Sequence, residues 1–140
     1  MKILIDTNVV IDALTSREPF NKSAEKLFIM SANNIVDMYI TASSAADIYY
    51  LVRKYLHNTE SSKQIMKKLY SLIGILEVRE EDCIEALESK ITDYEDAVLE
   101  KVARRSGMEY IITRNQKDFE SGITKVILPD DFIKIIETEE

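Results

Sequence analysis

Short runs of apolar residues alternate along the chain with longer stretches in which apolar positions recur every three or four residues. The short runs predict buried strands, and the longer stretches predict amphipathic helices. Strands are predicted over residues 3–5, 38–41, 75–78, 110–113 and 126–128. Because strands that alternate with helices form a parallel sheet covered on both faces, the sequence predicts a three-layer α/β/α fold with about five parallel strands.

Helices are predicted between and after these strands. They span residues 9–14, 19–34, 43–56, 59–73, 80–90 and 93–106, and a last helix opens at residue 129. Serine and threonine are favoured N-caps, so Ser43 or Ser44 is expected to cap the third helix and Thr59 the fourth. Gly74 and Gly107 are expected to end the fourth and sixth helices. The third and fourth helices then form a helical hairpin inserted between the second and third strands.

The composition is that of a folded protein. Of the 140 residues, 46% are hydrophobic and 31% are charged, and there are three glycines and two prolines. This predicts a single domain over residues 1–140, with no disordered segment. The apolar run at residues 3–5 is too short for a signal peptide or a membrane span, so we expect a cytoplasmic location and no membrane association. The lone cysteine, Cys83, is expected to be a small core residue.

The net charge changes the range of possible partners. The formal value is −7, which is unusual for a nucleic-acid enzyme because affinity for phosphate comes mainly from basic surface. Several of the negative charges could, however, share one pocket. A metal ion bound there would make the local electrostatic potential positive for an approaching substrate. Some basic side chains of the helical hairpin could face RNA, although such residues more often form a solvated helix surface. These side chains are Arg53, Lys54, Lys63, Lys67 and Lys68.

Polar residues collect at the predicted carboxyl ends of the strands. In open parallel sheets this edge is where ligands bind. The candidates at this edge are Asp6, Asp47, Asp93, Asp96, Asn115 and Asp118. Asp93 and Asp96 are three residues apart, so they share one face at the start of a helix, where the helix dipole favours negative charge.

Gathered carboxylates require a counter-charge. Two carboxylates within ~5 Å repel each other by about 3 kcal/mol at an effective dielectric near 20. A divalent cation removes this cost, and oxygen ligands without a His or Cys cluster favour Mg²⁺ or Mn²⁺ over Zn²⁺. Each aspartate taken alone is equally typical of a helix cap or a turn. The functional interpretation is strongest for Asp6, because it directly follows the first buried strand.

Three segments, taken together and in order, resemble the PIN domains, the fold of the toxin nuclease (VapC-type) in many prokaryotic toxin–antitoxin pairs. They are Ile3-Leu4-Ile5-Asp6-Thr7-Asn8, Asp93-Tyr94-Glu95-Asp96-Ala97, and Tyr110-Ile111-Ile112-Thr113-Arg114-Asn115 followed by Asp118-Phe119. The resemblance runs nearly end to end. It implies the PIN-like α/β/α fold and a site that binds divalent metal.

The resemblance also implies roles for individual residues. It places Asp6 at the family's first metal-binding acid and Asp96 at its third, with Asp93 close enough to assist. The second acid is usually a glutamate in the helix after the second strand, and Asp47 stands in the matching segment with a side chain one methylene shorter. The implied catalytic residues are therefore Asp6, Asp47 and Asp96.

The fourth acidic position departs from the family pattern. It commonly follows a Thr-Arg pair, but here it holds Asn115, which offers an oxygen without a charge. This puts a second metal ion in doubt. Asp118 could substitute as a ligand, and an aspartate before Phe119 could equally anchor the loop. The resemblance assigns supporting roles to Thr7, Asn8 and Thr113, whose hydroxyl and amide groups would orient carboxylates or water.

The resemblance predicts an Mg²⁺- or Mn²⁺-dependent endoribonuclease, the toxin of a toxin–antitoxin pair, with RNA as substrate and with an antitoxin and a second copy of the chain as partners. The competing hypothesis is a catalytically degenerate PIN fold that binds RNA or protein, and Asp47 and Asn115 are the residues that support it. The single histidine, His57, is expected to be exposed or a helix cap. A ribonuclease that uses a pair of histidines is thereby excluded.

Overall fold

The computed structural model describes residues 1–139. Its strands are β1 (Lys2–Ile5), β2 (Asp37–Thr41), β3 (Gly74–Leu76), β4 (Tyr110–Ile112) and β5 (Val126–Ile127). They form one sheet in the order β3-β2-β1-β4-β5, and every neighbouring pair is parallel. The predicted parallel sheet is confirmed. Because all strands run the same way, their carboxyl ends share one edge, called here the carboxyl edge.

The described residues form eight helices. They are α1 (Thr7–Leu14), α2 (Asn21–Ala32), α3 (Ala42–Leu56), α4 (Thr59–Leu72), α5 (Glu80–Ala86), α6 (Tyr94–Arg105), α7 (Gln116–Phe119) and α8 (Pro129–Glu139). The helices α3 and α4 pack together between β2 and β3, as the predicted hairpin. The helix α7 was not predicted, since four residues are too few to show a helical period. The helix predicted over 80–90 ends earlier, at Ala86.

The core lies on both faces of the sheet. Ile3 and Ile5 belong to an apolar cluster with residues of α1 to α4 and α8. Leu4, which lies between them, belongs to a second cluster built mainly from α6. Successive strand residues point to opposite faces, so β1 is buried from both sides. The predicted three-layer α/β/α architecture is confirmed.

The two predicted caps of the hairpin were wrong. Thr41, the last residue of β2, caps α3, and its hydroxyl accepts a hydrogen bond from the backbone N–H of Ser44 at 3.1 Å. Asn58 caps α4 and accepts from the N–H of Ser61 at 2.8 Å. In both cases the capping residue has extended backbone angles, and the helix begins at the next residue. The strand β2 therefore leads straight into α3, which places the first turns of α3 at the carboxyl edge.

Gly74 does not end a helix, and this prediction was also wrong. The helix α4 ends at Leu72, and Gly74 opens β3 opposite Tyr39 of β2. A Cβ atom at Gly74 would lie 2.6 Å from Cδ1 of Tyr39, so the Tyr39 ring occupies the space that a larger residue would need. Gly107 does follow α6, with a φ of 71° in the left-handed region, as predicted.

Cys83 and His57 are both at least partly exposed. Cys83 is half-buried and lines a surface cleft, so its assignment to the core was wrong. His57 is exposed and caps the carboxyl end of α3 in the left-handed conformation, as expected. Over residues 1–139, no helix combines the length and the hydropathy needed to cross a membrane.

Candidate functional site

Asp6 lies at the centre of the carboxyl edge, between the end of β1 and the start of α1. It is 9% exposed. Its Oδ1 accepts a hydrogen bond from the backbone N–H of Thr7 at 2.8 Å, as the N-cap of α1. Its Oδ2 accepts from the Thr113 hydroxyl at 2.8 Å and from the Asn8 side-chain amide at 3.3 Å. Three donors, two from the start of α1 and one from the turn after β4, thus hold this buried carboxylate in place.

The link from Asp6 to Thr113 follows from the strand register. Ile5 pairs with Ile112, so the residues that follow them leave the sheet side by side. Thr113 is fully buried, and its Oγ1 accepts a hydrogen bond from the backbone N–H of Asn115 at 3.0 Å. A hydroxyl has one proton to donate, and this one is directed to Asp6. The turn after β4 therefore orients the Asp6 carboxylate.

The start of α6 brings further acids to the same edge. Asp93 caps this helix, and its Oδ1 accepts from the backbone N–H of Asp96 at 3.0 Å. Asp96 is half-buried in the first turn, whereas Asp93 and Glu95 are exposed. The unpaired N–H groups of a helix start stabilise negative charge, which favours acidic residues at these positions.

The carboxylates interact electrostatically across the site. Burial raises the pKa of Asp6, against the hydrogen bonds from Thr113 and Thr7 that lower it. The pKa of Asp96 rises to about 7, first through burial and then through the negative charges of Asp6, Asp93, Asp118 and Glu95. Both shifts mean that burial and neighbouring negative charge disfavour the ionised carboxylates. A cation between Asp6 and Asp96 would lower both pKa values.

Two adjoining cavities surround Asp6 and Asp96, which line both of them. The acidic pocket, of about 380 Å³, is lined by Asp6, Thr7, Asn8, Ile11, Arg17, Leu51, Asp93, Glu95, Asp96, Asn115 and Asp118. The apolar cleft, of about 500 Å³, is lined by Asp6, Thr7, Ser43, Ser44, Asp47, Tyr50, Leu51, Val78, Cys83, Tyr94, Glu95, Asp96, Val98 and Leu99. The five acids and one amide predicted from the sequence thus all line these two cavities at the carboxyl edge. Asp47 is on the α3 side, away from Asn115 and Asp118.

The donor set fits a hard divalent ion, although its geometry is open. Five carboxylates and the side-chain amides of Asn8 and Asn115 line the acidic pocket, and the side-chain oxygen of Asn8 is buried without a hydrogen-bond partner. Within the described part of the chain, however, no three acidic, histidine or cysteine side chains stand close enough to hold a metal as placed. Asp93 is engaged as a helix cap, and Asp47 is exposed. Direct ligation by Asp47 or Asp93 would therefore require these side chains to turn inward.

A family model described as a PIN domain matches residues 2–117. The chain belongs to the PIN-domain family. A comparison with curated protein sequences gives no significant match.

Solved structures share the fold of this PIN domain. The VapBC2 complex of Rickettsia felis, bound to a DNA fragment from its promoter, aligns with a TM-score of 0.69 and 16% identity over 91% of this chain and 98% of that one. A toxin–antitoxin complex from Klebsiella pneumoniae aligns with a TM-score of 0.66 and 24% identity, over 91% of this chain and 97% of that one. The Sarcin-Ricin loop cleaving toxin VapC20 of Mycobacterium tuberculosis aligns with a TM-score of 0.60 and 14% identity, over 78% of this chain and 86% of that one. At these identities the likeness shows the fold.

Sequence reasoning missed one structural feature of this PIN domain beside the site. Arg114 donates to both carboxylate oxygens of Asp12, from Nε at 2.6 Å and from Nη2 at 3.2 Å. Asp12 is 1% exposed, and the Arg114 guanidinium also lies 4.1 Å from the centroid of the Phe20 ring. The pair ties the turn after β4 to α1. An aspartate within the apolar pattern of α1 was the one available signal that a buried cation was needed.

Proposed function

We propose that this chain is a divalent-metal-dependent endoribonuclease that hydrolyses RNA phosphodiester bonds. The observation that carries the proposal is the pair Asp6 and Asp96, two carboxylates with raised pKa values that line the same cavities at the carboxyl edge. Carboxylates with perturbed pKa values in a cleft are characteristic of functional sites. Membership of the PIN-domain family supports the same conclusion.

In this proposal Asp6 and Asp96 hold Mg²⁺ or Mn²⁺, and Asp47, Asp93, Asn115 and Asp118 supply further oxygens from the walls of the two cavities. When bound, such an ion provides a counter-charge for the phosphodiester and lowers the pKa of a water molecule. Thr113 keeps the Asp6 carboxylate in one orientation through the 2.8 Å hydrogen bond, and Thr7 and Asn8 hold it from the α1 side.

We further propose that the chain is a toxin with an antitoxin partner. Structures of the same fold include toxin–antitoxin complexes, and one neighbour is described as a toxin that cleaves the Sarcin-Ricin loop. A protein partner with a basic side chain would suit a pocket lined by five carboxylates, as an inhibitor. We also propose a homodimer, a cytoplasmic location and no membrane association.

The second candidate function is a degenerate PIN fold that binds RNA or protein without cutting. The observation in its favour is that no three potential ligands among residues 1–139 are in position for a metal. Asn115 adds to it, because this amide replaces the charged acid of the family pattern. The two candidates differ in metal affinity.

The test of the nuclease combines Mn²⁺ calorimetry with cleavage of a panel of structured and single-stranded RNAs. Wild type, Asp6→Asn and Asp96→Asn are compared with Asp37→Asn, which removes an exposed carboxylate from the opposite end of β2. We expect Mn²⁺ binding and cleavage in wild type and in Asp37→Asn, with both lost in the two site variants. Chelator should stop cleavage by wild type.

Cleavage that survives in Asp6→Asn and Asp96→Asn would reject the assigned site. Absence of both Mn²⁺ binding and cleavage in wild type would reject the nuclease and favour the degenerate fold.

A further inference from the structure

The acidic pocket poses an electrostatic problem for an RNA substrate. Five carboxylates line it, those of Asp6, Asp93, Glu95, Asp96 and Asp118. A phosphodiester that approaches them is repelled unless positive charge meets it, and one divalent ion offsets only two of these charges. A basic side chain at the pocket wall would therefore contribute strongly to binding.

Arg17 is the basic side chain of this wall. It lies in the segment between α1 and α2, is exposed, and lines the acidic pocket together with the five carboxylates. Its guanidinium nevertheless forms no ion pair or side-chain hydrogen bond with any of residues 1–139. Arg114, by contrast, is fully engaged with Asp12. Arg17 is thus the arginine that remains available to a ligand at this position.

The backbone that carries Arg17 is fixed at both ends. The N–H of Arg17 donates to the carbonyl oxygen of Asp12 at 3.0 Å, and its own carbonyl oxygen accepts from the N–H of Asn21 at 2.8 Å. Three residues further on, the Phe20 ring stacks on the Arg114 guanidinium at 4.1 Å. The Arg114–Asp12 pair therefore anchors the same segment that presents Arg17. An anchored backbone lowers the entropic cost of holding the side chain on a ligand.

We propose that Arg17 is a substrate-binding residue that holds a phosphate of the RNA backbone at the mouth of the acidic pocket. The inference rests on the proposed function, since it names how the same site admits its substrate. The planar guanidinium can donate two parallel hydrogen bonds to one phosphate, which an ammonium group cannot. Arg114 does not contact the phosphate in this proposal. It holds the segment between α1 and α2 in place through Asp12 and Phe20.

The first experiment measures steady-state cleavage of a single-stranded RNA in Mn²⁺ by wild type, Arg17→Ala and Arg17→Lys. The matched control is Lys22→Ala, which removes an exposed cation of α2 that is not part of the pocket wall. Loss of a charge-assisted pair predicts a rise in KM of about 10- to 100-fold for Arg17→Ala. Arg17→Lys should recover part of this loss, because it keeps the charge without the planar fork. Calorimetry should show no loss of Mn²⁺ affinity in any variant, because Arg17 and Lys22 are not proposed metal ligands.

The second experiment separates Arg17 from catalysis. Fluorescence anisotropy follows binding of a phosphorothioate-linked single-stranded RNA in Mn²⁺ as salt is raised. Removal of one phosphate contact should lower the slope of log K against log salt by about 0.7 for Arg17→Ala and leave Lys22→Ala at the wild-type slope.

Equal KM values and equal slopes for Arg17→Ala and Lys22→Ala would overturn the inference while leaving the nuclease intact. RNA that is bound with the expected slope change but never cut would support Arg17 and reject the nuclease. No RNA binding by wild type would reject both.

Discussion

Asp96 is the residue at which the electrostatic cost of the site is greatest. Its pKa of about 7 lies far above the ordinary value of 3.8, because burial and four neighbouring acids disfavour its charge. An acid whose folded-state pKa is raised binds its proton more tightly in the folded state. Its ionisation therefore destabilises the fold as pH rises from about 4 to 7, and the full cost applies above pH 7.

Asp96→Asn should consequently stabilise the metal-free protein at pH 8. After allowance for solvent screening of this half-exposed group, we expect a gain of about 1–2 kcal/mol in the free energy of unfolding. The gain should shrink as pH falls and be nearly absent at pH 4. Urea unfolding in chelator at both pH values measures it, with Asp37→Asn as the control. A gain of equal size at both pH values would show that charge is not its cause.

The arrangement of the candidate site depends on how the turn after β4 is attached to α1. Thr113 contacts Asp6, and the next residue, Arg114, contacts Asp12 six residues further along α1. The two contacts fix the turn at two points on the same helix. Because Asp12 is buried, loss of its partner leaves a carboxylate that is neither paired nor solvated.

Arg114→Met should therefore cost about 3–5 kcal/mol of unfolding free energy. The matched control is Arg79→Met, because the Arg79 side chain pairs with Glu77 on the surface, with both side chains more than half exposed. We expect that control to cost less than about 1 kcal/mol. Chemical denaturation of both variants at pH 7 provides the comparison. Similar small losses in the two variants would mean that the Arg114 pair contributes no more than a surface contact.

The elements themselves could be predicted from the sequence, because strands and long amphipathic helices have characteristic periods. The local signals failed at boundaries, where one residue serves two elements. Thr41 ends β2 and also caps α3, so the cap lies within the predicted strand and precedes both serines. Gly74 looked like a helix terminator, but its small size serves the Tyr39 ring on the next strand. The contact between Gly74 and Tyr39 joins two strands and is not local in sequence.

The position of the candidate site could be predicted for a different reason. The carboxyl edge of a parallel sheet is fixed by topology, so placing Asp6 and Asp96 there required only the order of strands and helices. The contacts that support the site could not be predicted from the order of elements. The Arg114–Asp12 pair joins residues 102 positions apart, and no sequence period reports such a contact.

The negative charge of the protein is unevenly distributed. The sequence carries 25 acidic and 18 basic residues apart from its histidine, and five of those acids face a single small pocket. The surplus is therefore partly a local property of the site. A protein built in this way is stabilised by any cation that binds the folded site and not the unfolded chain.

Mn²⁺ should accordingly raise the thermal unfolding midpoint of the whole chain. At a free concentration one hundred times the dissociation constant, linkage predicts about 2.7 kcal/mol of stabilisation. For a chain of this length that corresponds to a shift of about 10 °C, measured by calorimetry or circular dichroism at pH 7.5. Sodium chloride at the same ionic strength controls for screening and should give a much smaller shift. Asp96→Asn should start from a higher midpoint without metal and lose the Mn²⁺ response. If Asp96→Asn instead responds like wild type, Mn²⁺ binds elsewhere on this acidic protein, and the crowded carboxylates at the carboxyl edge require a different explanation.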